Sequence, residues 1–265
     1  MRFSKNIVLR KLPSENDVML DMALTMVRLI SKNNLAGRPT VMIIPVGPTA
    51  QYPIFAGIAN EIQLDMSNTH FFSMDEYMIT SSEMISSHDP MSFQYRLNEA
   101  FYNRLDPRIA PPLSNRNSPL FGQEAEYDER LLSLGGADLC LGGIGINGHI
   151  AFNEPPEKPN SMTVEEFAST PTRTLKISEQ TLVANAIGYL RGDIHGMPKW
   201  CITIGMNSIL ASKSIYIAIN RDWQHGILKR ILTGSVTPEI PGSLLQLHQN
   251  VEIVAPDAIA EGIKQ

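Results

Sequence analysis

The chain has 265 residues, 22 Lys and Arg against 27 Asp and Glu, and a formal net charge of −5. Charged residues make up only 18% and hydrophobic residues 43%, which excludes a disordered chain. There is no basic excess to neutralise a nucleic-acid backbone, and no run of about 18 uncharged apolar residues to span a membrane. The start, Met1-Arg2-Phe3-Ser4-Lys5, carries no long apolar segment and does not read as a secretory signal, so a cytoplasmic protein is expected. The two cysteines, Cys140 and Cys201, lie inside apolar runs and are expected as buried, reduced thiols.

Residues from Ser14 to about Ala36 predict an amphipathic helix. Ser14 and Asp17 resemble a capping box, Met19, Met22, Met26, Leu29 and Ile30 recur at spacings of three and four, and Gly37 and Pro39 stop the pattern. The all-apolar Val41-Met42-Ile43-Ile44 suits a strand covered on both faces. Gly47-Pro48-Thr49 reads as a turn, and Gln51 to about Gln63 as the next helix. Thr69–Ser73 predicts a strand, about Met91–Asn103 a helix, and Ala137–Leu141 a strand ending in glycines. Lys199–Ile204 and Ser214–Ile219 are further strand candidates. Asp222–Leu232 reads as a helix and Val251–Val254 as a late strand. This alternation implies an α/β fold, a Rossmann-like, doubly wound, mostly parallel sheet with helices on both faces, as one domain over residues 1–265. Ligands of such folds sit at the carboxyl ends of strands, which directs attention to the segments after Ile44, Ser73, Leu141, Ile204 and Ile219.

Gly143-Ile144-Gly145-Ile146-Asn147-Gly148 matches G-x-G-x-x-G after a strand. Pro155 and Pro156 follow too soon for the helix that a dinucleotide fingerprint requires. The glycines instead allow close approach of a small ligand, with His149 at the strand end and Glu154 five residues on. Spacing alone leaves two readings open: a proton-moving His oriented by a carboxylate, or a turn-capping His beside a solvated Glu. Asp75, directly after the strand ending at Ser73, is likewise either a proton-abstracting carboxylate or a turn residue. No H-E-x-x-H or similar metal spacing occurs.

The stretch Gly145-Ile146-Asn147-Gly148-His149-Ile150-Ala151-Phe152-Asn153-Glu154-Pro155 resembles the signature of the glucosamine-6-phosphate deaminase family. So, in the same order along the chain, do Phe72–Tyr77, His88–Phe93, Met197–Gly205 and Leu245–His248. The resemblance implies a Rossmann-like fold, no metal or organic cofactor, and a small amino sugar or sugar phosphate as substrate, with a homo-oligomer left open. The implied chemistry opens an amino-sugar phosphate ring, moves a proton between C2 and C1, and releases ammonia. By position, Asp75 would take the C2 proton, His149 would serve ring opening, and Glu154 would orient it. Asn147 stands where some members carry Asp, so it cannot take a proton itself. Gly47, Pro48, Thr49, Gly145, Gly148 and Gln224 fall at substrate-binding positions. The same fold also serves sugar-phosphate lactonases and non-catalytic sugar sensors, which are the competing readings.

The sequence departs from that pattern at the phosphate grip. Pro48 removes a backbone N–H from the first loop, and Ile187 and Gln224 fall where cations are usual. Arg173, Arg191, Arg221 and His225 are candidate replacements, and the segment from Glu157 to Thr172 looks longer than the usual lid.

Overall fold

The computed structural model describes residues 6–263; the reading of Met1–Lys5 lies outside them. The chain runs β1 (Ile7–Leu12), α1 (Glu15–Leu35), β2 (Thr40–Ile44), α2 (Gln51–Glu61) and β3 (Thr69–Ser73). It continues through β4 (Asp75–Thr80), β5 (Glu83–Met84), α3 (Phe93–Ala100), β6 (Arg116–Asn117), α4 (Glu124–Ser133) and β7 (Leu139–Gly142). Then follow α5 (Val164–Ala168), β8 (Arg173–Lys176), α6 (Glu179–Tyr189), β9 (Trp200–Thr203), α7 (Met206–Leu210), β10 (Ile215–Ala218), α8 (Gln224–Thr233) and β11 (Val251–Pro256).

Among the described residues, seven strands form a parallel sheet in the order β1-β11-β10-β7-β2-β3-β6. Its strands are apolar on both sides because both sides are covered. In β2, Met42 and Ile44 pack into one core with α1 and α2, while Val41 and Ile43 pack into the other with α4 and α8. Each such side chain taken out of water contributes about 1.5–3 kcal/mol. The structure is thus the α/β, doubly wound arrangement that the alternation implies.

The first predicted helix is α1, with Ser14 as its N-cap accepting from the Asp17 N–H, and Met19, Met22, Met26 and Ile30 buried. The helix expected over 91–103 is shorter. Ser92 caps α3, which ends at Ala100, and Tyr102–Arg104 form a separate 3-10 turn.

One expectation needs correcting. The strand expected at Lys199–Ile204 is not in the main sheet. As β9 it joins a second, antiparallel sheet in the order β5-β4-β9-β8. Met74 is the seam between the two sheets: its N–H donates to Ile44 O (3.1 Å) in the main sheet, and its carbonyl accepts from Ile204 N (2.7 Å) beside the small one. Asp75 follows immediately, in register with Thr203, so it is held by two sheets rather than by a loop.

Candidate active site

A cavity of about 700 Å3 opens at the carboxyl ends of β2, β3, β7 and β10. Four of the five segments singled out from the sequence reach it; the segment after Ile204 does not, though Ile204 O accepts from Asn153 Nδ2 (2.9 Å) and so anchors the loop that carries His149. Of the sequence-predicted residues, Gly47, Pro48, Thr49, Asp75, Gly145, His149 and Gln224 line the cavity. Asn147, Gly148 and Glu154 do not; they stand behind His149 and shape its setting.

Asp75 is 6% exposed, and its carboxyl has no hydrogen-bond or ion-pair partner among the described residues. Burial pushes its pKa well above the usual carboxylate range, and the neighbouring Glu76 charge adds to this. Glu76 itself points away from the cavity. It accepts from the backbone N–H groups of Tyr77 (2.8 Å), Phe93 (2.8 Å) and Gln94 (3.0 Å) and from Ser92 Oγ (2.8 Å), closing the first turn of α3.

The loop after β7 is built around the His149 ring. Gly148 N donates to Gly145 O and Gly145 N to His149 O, both at 2.9 Å, with Gly148 at φ +92. The ring then lies over Gly145, so close that a Cβ there would stand 2.0 Å from His149 Cε1 and Nε2. His149 Nδ1 faces inward, 2.8 Å from Asn147 Oδ1, 3.2 Å from Thr181 Oγ1 and 3.6 Å from Glu154 Oε2. The direct His–Glu contact read from the spacing is therefore beyond hydrogen-bond reach, and Asn147 links the two. Its Nδ2 donates to Glu154 Oε2 (2.5 Å) and to Ser178 Oγ (3.1 Å), and its Oδ1 accepts from His149 N (3.2 Å).

Those contacts fix the amide. A backbone N–H only donates and an ionised carboxylate only accepts, so Oδ1 must face the histidine. Nδ1 is therefore the donor to Asn147, and in the neutral ring Nε2 is the nitrogen left with the lone pair. Burial raises the Glu154 carboxyl, but the nearby polar groups of His149, Thr181 and Asn147 outweigh it and hold it at about 2.

The predicted substrate residue Gln224 lines the cavity, but its amide is occupied by backbone. Nε2 donates to Ile144 O (2.7 Å), and Oε1 accepts from Asn220 N and Arg221 N (2.8 Å each), tying the loops after β7 and β10 together. Ile187 sits on the rim, 69% exposed. Of the four candidate replacement cations, only Arg221 lines the cavity. Arg173 donates to Asn153 Oδ1 (2.8 Å), and His225 Nδ1 lies 2.8 Å from Ile259 O. The sequence reading missed Tyr189, at the end of α6, and Phe93, on α3, both of which line the cavity. Phe93 closes the His88–Phe93 motif but was not assigned to the site there, and Tyr189 belongs to no motif, so no local signal marked it. Cys140 and Cys201 are free and buried, as expected.

No family model matches the chain. Curated relatives do. The glucosamine-6-phosphate deaminase of Bacteroides thetaiotaomicron is 30% identical over 241 residues, covering 89% of this chain and 84% of that protein. The enzyme of the same description from Clostridium perfringens (strain 13) is 29% identical over 225 residues, covering 82% and 84%. Among solved structures, a monomeric glucosamine-6-phosphate deaminase superposes with a TM-score of 0.82 at 25% identity, over 96% of this chain and 98% of that one. The 6-phosphogluconolactonase of Leishmania guyanensis, at TM-score 0.70, 14% identity and coverage of 97% and 99%, shares the fold. By identity and coverage together, the chain belongs to the glucosamine-6-phosphate deaminase family.

Proposed function

We propose that the chain deaminates and isomerises glucosamine 6-phosphate, giving a ketose 6-phosphate and ammonia with uptake of one water. The observation that carries this reading is Asp75, a buried carboxyl lining the cavity with no hydrogen-bond or ion-pair partner among the described residues. Moving a proton off C2 of the opened sugar requires a carboxylate that the protein does not already engage. Burial and the Glu76 charge raise its proton affinity, which strengthens its ionised form as a base.

The steps follow from the two ends of the site. His149 Nε2, left free by the Asn147 contact, takes the proton of the anomeric hydroxyl and returns one to the ring oxygen as the ring opens. Asp75 takes the C2 proton and delivers it to C1. The enolamine between these steps collects charge, and backbone N–H groups of the glycine loop stabilise it. Loss of ammonia after water addition at C2 leaves the ketose. No step calls for a metal or an organic cofactor.

Asp75→Asn keeps the shape of the site and removes the base. Ammonia release from glucosamine 6-phosphate then falls by about 10²–10⁴-fold, the range of general-base catalysis, with circular dichroism unchanged. Near wild-type release would overturn the assignment. A lactonase reading rests on fold alone, and lactone hydrolysis has no use for a carboxylate aimed at C2. A phosphogluconolactone assayed in parallel is expected to show no enzyme-dependent hydrolysis.

A further inference from the structure

The main cavity has an annex. A hollow of about 290 Å3, lined by Tyr95, Arg96, Glu99 and Arg104 among others, adjoins it, and Val46, Thr49 and Tyr189 line both spaces. Tyr189 stands where they meet. Its hydroxyl is 3.5 Å from where a Cβ on Gly47 would lie, directly over the loop after β2. The Arg96 guanidinium packs 4.0 Å from the centre of the Tyr189 ring.

Arg221 lines the same cavity as Tyr189, and the charges of Arg96, Asp75 and Arg221 all act on the Tyr189 hydroxyl, the two arginines against the carboxylate. Neither arginine is neutralised by a carboxylate among the described residues. Arg96 donates only to neutral acceptors, Pro90 O (3.1 Å) and Met91 Sδ (3.4 Å), besides the tyrosine. The Arg221 guanidinium has no hydrogen-bond partner among the described residues, in a cavity otherwise rimmed by the acids Glu15 and Asp222. One guanidinium stacked on the Tyr189 ring and a second lining the same cavity, neither paired with a carboxylate, make a place for a dianion, and guanidinium forks suit phosphate oxygens in particular.

We propose that Arg96, Tyr189 and Arg221 form the phosphate subsite of this chain, above the Gly47–Thr49 loop, in place of cations at positions 187 and 224. The proposal rests on the reading of the substrate as an amino-sugar phosphate. It places the phosphomonoester at the annex end of the cavity and the sugar C1 and C2 toward His149 and Asp75. In this chain, specificity for the phosphorylated sugar then comes from α3, the end of α6 and the loop after β10.

The test uses Arg96→Met, Arg221→Met and the conservative Arg221→Lys. All sit at partly or fully exposed positions, so folding is checked by circular dichroism and is expected to hold. Two readouts are taken: KM for glucosamine 6-phosphate, and the Kd of inorganic phosphate by calorimetry. Each Met variant is expected to raise both by about 10–100-fold, the loss of one charge-assisted contact, with Arg221→Lys recovering part of it. KM and phosphate Kd within twofold of wild type in both Met variants would overturn the subsite. If the wild type releases ammonia but the variants match it, the subsite fails and the deaminase reading stands. If phosphate binding depends on the arginines but no ammonia is released, the subsite stands and the deaminase reading fails.

Discussion

Gly145 has no room for a side chain because of the His149 ring. The His149 imidazole occupies the space where any other residue would place its Cβ, 2.0 Å from two ring atoms. Gly145→Ala therefore pushes the ring out of line with the cavity and breaks its contact with Asn147, while the fold around it loses little. We expect kcat to fall about 100-fold or more, within the span that acid–base groups contribute, with the urea midpoint nearly unchanged. A Gly145→Ala enzyme with wild-type kcat would show that the ring position is not required. Asn147 gains its meaning in the same way. Read from sequence, it is an amide standing where some relatives have a carboxylate. In the structure it passes the orientation of Glu154 to His149 without adding a second negative charge beside Glu154. That Asp75 and His149 would meet at one cavity was legible, because both follow apolar strands and ligands of such folds sit at strand ends. The link through Asn147 was not, because spacing gives neighbours in sequence and not the direction of an amide.

At the scale of elements, the acidic pair Asp75-Glu76 divides its labour between the two sides of β4. Asp75 faces the cavity, and Glu76 turns to the start of α3, where it gathers two backbone N–H groups and the Ser92 hydroxyl besides the N–H of Tyr77 on its own strand. This cap holds α3, and with it Phe93 and Arg96, against the site. Glu76→Gln puts an amide NH2 against donors, and we expect it to cost about 1–3 kcal/mol in chemical denaturation. A loss under ~0.5 kcal/mol would show that water replaces the contacts. The elements best read from sequence were the apolar strands β2 and β3, which are buried on both faces and follow clear stops. The antiparallel sheet was not legible. β8, Arg-Thr-Leu-Lys, is half-buried with a cation at each end, and its partner β9 lies a helix and a long loop away in sequence. Pairing of that kind leaves no local periodicity. The helix α6 was missed for a related reason: its apolar residues are spread around it, with few fully buried, and Ile187 is left on the rim.

The whole molecule decides what the low charge count means. From sequence, the missing cations at 187 and 224 cast doubt on a phosphorylated substrate. Folding brings Arg96 and Arg221, 125 positions apart, into the neighbourhood of one tyrosine, Arg96 on its ring and Arg221 along the cavity it lines. No sequence pattern could have paired them, since one lies on a helix and the other in a loop from a different part of the sheet.

The same global packing sets a stability cost at the site that can be measured. Asp75 has a folded-state pKa raised first by burial and then by Glu76, so the folded protein holds that proton more tightly than the unfolded chain does. Its contribution is therefore favourable at low pH and is lost as pH rises through the raised value. Asn carries no such cost, so Asp75→Asn is expected to raise Tm at pH 7, by about 2–4 °C for each kcal/mol relieved. The gap should close as pH falls below about 3.9, where an unfolded Asp is protonated too. Glu154 behaves oppositely. Held at about 2, it stabilises the fold above the ordinary glutamate range, and that contribution disappears as pH falls toward 2. Glu154→Gln should therefore lower Tm at pH 7, with the deficit shrinking in acid. Calorimetry of both variants against wild type from pH 3 to 8 checks the pair. Two Tm differences of the same sign at pH 7 would mean that the site does not hold one carboxyl against ionisation and the other in favour of it.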